Sequence, residues 1–279
     1  MNIGIVGLGL IGGSLGLDLR ALGHRVLGVS RKSQTCDRAR ERGVVDAAST
    51  SPTLLQTADV VFICTPLGVM EATVRELIPH LSATTILTDV GSVKGWVVQT
   101  IEPLWANFVG GHPMAGNTES GIEAAQYSLF VGAPYVLTPT AATPSASVQV
   151  VEELVRPLQT KIYHCTPEDH DRAVAWISHL PVMISASLMQ ACLSEADPAV
   201  LTLAKALASS GFRDTSRVGG GNPELGMMMA QYNQTALLRS LASYRSHLDQ
   251  IITLIEQDNW SGLKQRLAHN QQTRPEFLQ

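Results

Sequence analysis

Cysteines are few in this sequence, and they are widely separated. The four cysteines form no CxxC pair, which argues against a structural zinc site and against a thioredoxin-like redox motif. They are Cys36, Cys64, Cys165 and Cys192. We therefore expect reduced thiols and no bound metal.

Basic charge is also scarce, with 20 Lys and Arg against 24 Asp and Glu and a formal net charge of -4. Proteins that bind nucleic acid carry a basic stripe for the phosphate backbone, and none is visible here. The composition therefore favours a small-molecule ligand and predicts no nucleic-acid partner.

Targeting and membrane segments are not evident in the sequence. Residues 1–6 enter a predicted strand at once, without the basic start, apolar stretch and cleavage site of a signal peptide. No apolar run approaches membrane-spanning length in this interpretation. We expect a cytoplasmic protein with no membrane contact.

The first half alternates short β-branched runs with helical stretches, which is typical of a mostly parallel, doubly wound α/β sheet. The predicted strands are Ile3–Val6, Arg25–Val29, Val60–Cys64, Thr85–Asp89, Phe108–Gly110, Tyr135–Leu137 and an edge strand near Lys161–His164. Val60–Cys64 is apolar at every position, as expected for a central strand covered by helices on both faces.

The second half carries apolar residues at three- and four-residue spacing and predicts an all-α domain. A first helix should start at Thr166-Pro167, and further helical segments are Ala173–Leu193, Ala199–Ser209 and Glu224 to about Ala268. We place the boundary near residue 152, giving domains 1–152 and 153–279. Long helices beside such a sheet often bury a face against a second copy, so we predict a homodimer through this half.

A glycine motif follows the first strand and opens a helix. Gly7-Leu8-Gly9-Leu10-Ile11-Gly12 fits G-x-G-x-x-G, in which the glycines allow a tight turn, a close approach to a pyrophosphate and close helix–strand packing. The helix N-terminus then points at the anion. This context predicts a dinucleotide-binding Rossmann domain, and a glycine-rich turn that only packs is the alternative.

The residues after the second strand indicate which dinucleotide is bound. An NAD enzyme presents Asp or Glu to the ribose there, whereas this chain has Ser30-Arg31-Lys32. A serine hydroxyl and an arginine can bind a 2′-phosphate, helped by Thr35 at the start of the next helix. We predict NADP as the cofactor; a solvated basic turn is the alternative.

Two further loops follow predicted strands at the same edge, where open α/β sheets bind ligands. Cys64, Thr65 and Pro66 should pass near the cofactor. Gly91 should also contact it, and Ser92 can place a hydroxyl near the nicotinamide, unless it only caps the next helix.

His112 lies in Gly110-Gly111-His112-Pro113-Met114-Ala115-Gly116, again at a strand end. Small or rigid neighbours surround one imidazole, which is hard to explain by packing alone. A neutral imidazole can accept a proton as a substrate hydroxyl becomes a carbonyl. We predict His112 as the catalytic base, with a structural loop histidine as the alternative.

Three residues of the second half are candidates for substrate binding. His179 lies in an apolar helix, where periodicity alone favours a hydrogen-bonded core histidine. Arg213 and Arg217 are four residues apart and can bind carboxylates, or either can pair with Asp214 or another neighbouring acid.

Together these motifs resemble the prephenate/arogenate dehydrogenase family of tyrosine biosynthesis. The resemblance rests on Asp89–Lys94, Gly111–Gly116, His170-Asp171, Ser178–Pro181 and Gly211–Arg217. It implies loss of hydride from the hydroxyl-bearing carbon of a cyclohexadienol ring to the nicotinamide, and loss of carbon dioxide from the opposite ring carbon. It also implies that His112 takes the proton, Ser92 orients that pair, His179 helps hold the substrate, and Arg217, assisted by Arg213, binds a carboxylate.

The chain departs from the family at Val182, where many relatives have a second histidine, and at Gly226, where an aromatic residue is common. These departures bear on the substrate side group. The predicted NADP preference and short chain favour the arogenate type, with prephenate dehydrogenase as the alternative. A β-hydroxyacid dehydrogenase would need G-x-x-x-K-x-x-N around Lys205, but Leu201 and Ala208 break that pattern. A non-catalytic NADP-sensing module would leave His112 and the arginines unexplained.

Overall fold

The computed structural model describes residues 1–117 and 119–278. Its strands alternate with helices through the first half, as predicted. The strands are β1 (Asn2–Val6), β2 (Arg25–Val29), β3 (Ala47–Ser49), β4 (Val60–Ile63), β5 (Ile86–Asp89), β6 (Phe108–Val109), β7 (Gly111–Pro113), β8 (Pro134–Leu137) and β9 (Lys161–His164).

The first six strands form one parallel sheet in the order β3-β2-β1-β4-β5-β6. The chain reverses its direction of progress between β1 and β4, which is the topological switch point where such sheets bind ligands at their carboxyl ends. The Rossmann fold class is therefore confirmed. β4 is fully buried at all four positions, as expected for a strand covered on both faces.

Two strands differ from the predictions. The sequence analysis missed β3, because Ala-Ala-Ser has none of the β-branched or aromatic residues that mark a strand. Residues Gly111–Pro113, which we expected in a loop, form β7 in a second sheet of order β7-β8-β9. There β8 runs antiparallel to β7 and parallel to β9, the predicted edge strand.

The helices of the first half are α1 (Leu10–Ala21), α2 (Ser33–Glu41), α3 (Leu67–Leu77), α4 (Gly95–Ile101) and α5 (Ser145–Val155). Those of the second half are α6 (Pro167–Val174), α7 (Leu180–Leu193), α8 (Pro198–Leu207), α9 (Ser210–Ser216), α10 (Pro223–Tyr232), α11 (Gln234–Glu256) and α12 (Trp260–Thr273). The predicted start of α6 is confirmed, because the Thr166 hydroxyl accepts a hydrogen bond from the Asp169 N–H at 3.1 Å.

The segment predicted to be helical from Glu224 to about Ala268 is helical, but it is divided into three helices, α10, α11 and α12. Asn233 leaves the helical conformation with φ -120°, and a second break follows α11. Asp258 has a positive φ of 52°, and the Asn259 side chain then caps α12. The segment Ala199–Ser209 likewise ends early, with α8 at Leu207 and α9 beginning at Ser210.

A π-helical turn, Ala175–His179, joins α6 to α7 within one continuous helix. Pro181 accounts for its position, since a proline has no N–H and its ring collides with the carbonyl four residues earlier in a regular helix. The wider turn changes the rotational phase of the residues that follow. In an unbroken α-helix at about 3.6 residues per turn, His170 and His179 would lie on nearly opposite faces; the extra residue in the turn brings them closer to one face.

This helix, Pro167–Leu193, has 27 residues, a mean hydropathy of 1.3 and 17% of its apolar window buried in the chain. By length and composition it could cross a membrane, so our expectation that no apolar segment approaches that length is wrong. Serine, histidine, proline and glutamine interrupt the apolar run, but Ala173–Leu193 contains no Asp, Glu, Lys or Arg.

Two compact units are distinguished by their internal contacts, Met1–Gln234 and Thr235–Gln279. The first contains both sheets and the helices up to α10. The second contains the rest of α11 and α12, joined by hydrogen bonds from Arg266 to the carbonyl of His247 and to the side chain of Gln250.

Candidate active site

The glycine loop forms a cradle with room for a pyrophosphate. Gly7 has a φ of +99°, and a Cβ there would lie 2.6 Å from the Cys64 carbonyl oxygen. A Cβ on Gly12 would collide with the Gly7 carbonyl, whereas one on Gly9 would meet nothing within 4 Å. The loop is thus tightly packed on its inner side and open at Gly9, where α1 begins without a side-chain cap. The predicted loop, which includes Leu8, Leu10 and Ile11, fits a dinucleotide.

The predicted phosphate-binding residues lie where β2 passes into α2. Ser30 directly follows β2, Arg31 is exposed, and Thr35 is half-buried in the first turn of α2. That first turn contains no acidic residue. Within residues 1–117 and 119–278, Arg31 makes no ion pair. The positive end of α2 and the Arg31 guanidinium therefore leave this turn suited to an anion.

The loop after β4 lies against the glycine loop, since Gly7 packs on Cys64. Burial raises the pKa of the Cys64 thiol, so this cysteine remains protonated. The Thr65 hydroxyl is buried and has no hydrogen-bond partner in the part of the chain that the structure describes. Pro66 follows, exposed, at the start of α3.

Ser92 lies half-buried between β5 and α4, close to the cofactor edge of the sheet. The alternative that Ser92 only caps a helix does not fit, because α4 begins at Gly95 and its N-cap position is Lys94. Neighbouring Gly91 is held tightly: its N–H donates to Asp89 Oδ2 at 2.7 Å, and a Cβ would lie 2.8 Å from Leu67.

A fully buried ion pair between Asp89 and Lys94 lies beneath this loop. Asp89 Oδ1 accepts the Gly111 N–H at 3.0 Å, and Lys94 Nζ donates to the Gly111 carbonyl at 2.6 Å. The ion pair therefore holds both the N–H and the carbonyl of Gly111, the residue before His112. Burial lowers the pKa of Lys94, and the adjacent Asp89 carboxylate opposes that shift.

His112 is the first residue in a buried chain of hydrogen bonds that continues through His170 to Asp171. Its Nδ1 lies 2.8 Å from His170 Nε2, and His170 Nδ1 lies 2.8 Å from Asp171 Oδ1. Asp171 also accepts the Lys94 N–H at 2.7 Å and the Gly95 N–H at 2.8 Å, so it caps α4 from a different helix.

These contacts assign the protons on both rings. A carboxylate that already holds two N–H donors is ionised and can only accept, so His170 carries its proton on Nδ1. His170 Nε2 must then accept, which places a proton on His112 Nδ1. The remaining nitrogen, His112 Nε2, keeps its lone pair, as a general base requires.

The surroundings keep His112 uncharged at neutral pH. Burial lowers the pKa of His112 well below its usual value, and His170, Lys94 and His179 lower it further. Burial also lowers the pKa of His170, although Asp171 opposes that effect.

His179 is fully buried at the end of the π turn. Burial lowers its pKa to about 4, so this imidazole is neutral as well. Its Nδ1 lies 3.2 Å from Asn233 Nδ2, which also donates to the Asp171 carbonyl at 2.8 Å. The backbone of Ser92 also lies beside the ring and raises the pKa of His179, but no described residue makes a hydrogen bond of normal geometry to Nε2.

The two candidate arginines are exposed, unlike the buried histidines. Arg213 Nε is 3.4 Å from Asp214 Oδ1 on the exposed surface of α9, so the predicted alternative of pairing with a neighbouring acid is observed for this residue. Arg217 is exposed at the start of a tight turn, Arg217–Gly220. Gly219 fixes that turn on α7, because its N–H donates to Ser185 Oγ at 2.7 Å and a side chain there would collide with the Ala186 backbone.

Sequence reasoning singled out His112 and His179 but gave no role to the residues that hold them. These are Asp89, Lys94, His170, Asp171 and Asn233. His170 follows His112 by 58 residues, and Asn233 follows Asp171 by 62, so no local spacing links them. The available signals were an adjacent His-Asp pair in the first turns of a helix and the Asp89–Lys94 motif.

Comparison with known proteins identifies a family for both halves of the chain. Residues 15–164 match the family model described as prephenate dehydrogenase, nucleotide-binding domain, and residues 166–269 match that of the prephenate dehydrogenase dimerization domain. The prephenate dehydrogenase of Bacillus subtilis is 32% identical over 266 residues, which are 93% of this chain and 71% of the relative.

Solved structures give the same result. A Synechocystis arogenate dehydrogenase is 56% identical with a TM-score of 0.89, and the match covers 99% of this chain and 100% of the other. A prephenate dehydrogenase from A. aeolicus, in complex with hydroxyphenyl propionate and NAD⁺, is 27% identical with a TM-score of 0.93, covering 99% and 98%. These matches support the dehydrogenase interpretation over a β-hydroxyacid dehydrogenase or a non-catalytic module. The chain therefore belongs to the prephenate/arogenate dehydrogenase family and is an oxidoreductase with a nicotinamide cofactor.

Proposed function

We propose that this protein catalyses the NADP-dependent oxidative decarboxylation of L-arogenate to L-tyrosine. The observation that carries the proposal is the buried hydrogen-bond chain that leaves His112 Nε2 as an acceptor, next to Gly111, which contacts Asp89 at the carboxyl end of β5. The bound nicotinamide supplies the hydride acceptor, and the ring loses carbon dioxide from the opposite carbon. The products are tyrosine, carbon dioxide and NADPH.

His112 accepts the proton of the ring hydroxyl as its carbon becomes a carbonyl. Loss of carbon dioxide then leaves its electron pair on the ring and gives a phenolate, which takes the proton back from His112. A base must be neutral before it can accept, and the lowered pKa of His112 provides this at neutral pH. The hydrogen bond from His112 Nδ1 to His170 lets the Asp171 carboxylate stabilise the imidazolium that forms. Ser92 lies on the same edge and orients the hydroxyl.

The substrate carboxylates need donors, and the second half of the chain supplies them. We assign His179 and Arg217 to this role, with Arg213 assisting after release from Asp214. Arg217 is held on a turn anchored to α7, the helix that follows His179, which supports its assignment.

NADP preference rests on the turn after β2. Ser30, Arg31 and Thr35 would hold the 2′-phosphate at the start of α2, where a carboxylate would repel it. Arg31→Ala should raise the Kd for NADPH by about tenfold, which corresponds to about 1.4 kcal/mol, and barely change that for NADH. Arg25→Ala removes the same charge from the opposite end of β2 and is the matched control. Equal losses for both cofactors would show that Arg31 does not bind the 2′-phosphate.

The choice of arogenate is supported by the Synechocystis arogenate dehydrogenase, which is 56% identical over nearly the whole chain. Prephenate is the second candidate, because the Bacillus subtilis relative acts on prephenate by its name. The test is absorbance at 340 nm with each substrate and with NADP⁺ or NAD⁺. We expect the highest kcat/KM for arogenate with NADP⁺. A higher value for prephenate would overturn the substrate assignment, and a higher value with NAD⁺ would overturn the cofactor assignment.

We also propose a homodimer through residues 153–279, with residues 1–152 as the cofactor domain. Most exposed large apolar side chains lie beyond residue 175, including Ile177, Leu203 and Leu207, and a second copy would cover them. The match to a dimerization domain supports this. Light scattering at micromolar concentration should give twice the mass of 29.9 kDa, and a monomer mass would contradict the proposal.

A further inference from the structure

Asn233 lies at the end of α10, where the helix breaks, and it is 95% buried against the histidine cluster. One nitrogen of its side chain bridges two acceptors. Nδ2 lies 2.8 Å from the Asp171 carbonyl oxygen and 3.2 Å from His179 Nδ1. The mechanism proposed above assigns no role to this amide.

The Asp171 carbonyl fixes which way the amide points. A backbone carbonyl only accepts, so the group 2.8 Å away must be the amide NH₂ rather than its oxygen. Rotating the amide would bring two oxygens together in a buried site, which is unfavourable. The second hydrogen of that NH₂ then faces His179 Nδ1.

The tautomer of His179 follows from this contact. Nδ1 accepts from Asn233, so the single proton of the neutral ring lies on Nε2. That nitrogen is buried. The backbone of Ser92, beside the ring, raises the pKa of His179, but no described residue meets Nε2 at normal hydrogen-bond geometry, although buried N–H groups are nearly always paired. It can therefore donate to an acceptor that a ligand brings.

We infer that Asn233 is a positioning residue that holds His179 as a neutral Nε2–H donor to an oxygen of the bound substrate. The two histidines then have opposite tautomers. His112 presents a lone pair, set by His170 and Asp171, and His179 presents an N–H, set by Asn233. Asp171 takes part in both, through its carboxylate, which contacts His170, and through its backbone carbonyl, which contacts Asn233.

The role in substrate binding rests on the proposed function, but the tautomer itself can be measured without turnover. The experiment records ¹⁵N–¹H correlation spectra of histidine-labelled, full-length protein without ligand, and assigns His179 by its loss in His179→Gln. We expect a protonated Nε2 and an unprotonated Nδ1. In Asn233→Asp the new carboxylate can only accept, so the proton should move to Nδ1. A protonated Nδ1 in the wild type, or no change in the variant, would overturn the inference.

Kinetics test the consequence for substrate. Asn233→Asp should raise KM for the cyclohexadienyl substrate by about tenfold with a smaller change in kcat, since the lost donor binds ground state and transition state alike. Gln234→Glu makes the same change in charge at the next, exposed position and should match the wild type. His179→Gln retains an N–H donor that does not depend on Asn233, so adding Asn233→Asp to it should cost less than twofold. If the losses in kcat/KM of the two single variants multiply in the double variant, Asn233 does not act through His179.

Discussion

The glycine loop at residues 7–12 and the histidine cluster around His112 belong to the same proposed active site, but they are built differently. The loop is contiguous in sequence, and its expected ligand contacts come from backbone groups beside the open space at Gly9. The cluster joins buried side chains from distant segments, and its chemistry depends on where each proton lies. The loop should therefore respond to changes in size, and the cluster to changes in hydrogen-bond polarity that leave size almost constant.

The largest expected effect is at His112. His112→Ala removes the proton acceptor, so kcat should fall by at least about 100-fold, the low end of what general base catalysis contributes. The Kd for NADPH, followed by fluorescence, should change by less than about twofold because the glycine loop is untouched. His164→Ala, which removes an exposed histidine paired with Glu152, is the control. Activity within tenfold of the wild type would remove His112 from the mechanism.

Asp171→Asn keeps the size of the side chain and changes only its charge and donors. The amide no longer stabilises the charged form of the His170–His112 pair. We therefore expect kcat to fall about 10- to 100-fold, which is the loss typical of removing the hydrogen-bond partner of a metal-binding histidine. The exposed Asp169→Asn, whose side chain contacts the Thr166 cap and Arg172 but not the histidine cluster, should have full activity. Similar losses in both variants would mean that the effect is on helix capping and not on proton transfer.

A pair of glycine variants separates packing from binding within the loop. Gly12→Ala places a Cβ against the Gly7 carbonyl and should lower the free energy of unfolding by about 1–3 kcal/mol. Gly9→Ala has open space, so stability should hold while the Kd for NADPH rises about tenfold. Chemical denaturation and fluorescence titration measure the two effects. Unchanged binding in Gly9→Ala would contradict the placement of the pyrophosphate.

These contrasts explain what the sequence could predict. The glycine motif, the apolar β4 and the Thr166-Pro167 helix start are local patterns, and the structure contains all three. The break at Asn233 and the hydrogen bonds to Asp171 depend on tertiary contacts, which no periodicity encodes. The length of the apolar helix Pro167–Leu193 was not predicted for the same reason. Its polar residue His179 interrupts the apolar pattern in the sequence but makes a tertiary contact with Asn233 in the buried cluster.

The smallest expected effect is on stability. The pKa values of His112, His170 and His179 are lowered in the folded protein, so below about pH 6.5 the unfolded state binds more protons. The free energy of unfolding should then fall with acidification, by about 1.4 kcal/mol per pH unit for each histidine. For His179 the window runs from about pH 6.5 down to its folded pKa of about 4. Between pH 7 and pH 5, the free energy of unfolding measured by denaturation should fall less steeply in His179→Gln than in the wild type. An equal slope in the two proteins would contradict the assignment of His179 as buried and neutral.

The central claim is that a buried, neutral His112 accepts the substrate proton, and the pH dependence of kcat/KM tests it most directly. With arogenate and NADP⁺, we predict a constant value from about pH 8 to about 6.5 and a decline only below that, because the pKa of His112 lies well below its usual value. A decline that begins above about pH 7 would mean that the base is an exposed or charge-stabilised group, and would contradict the account.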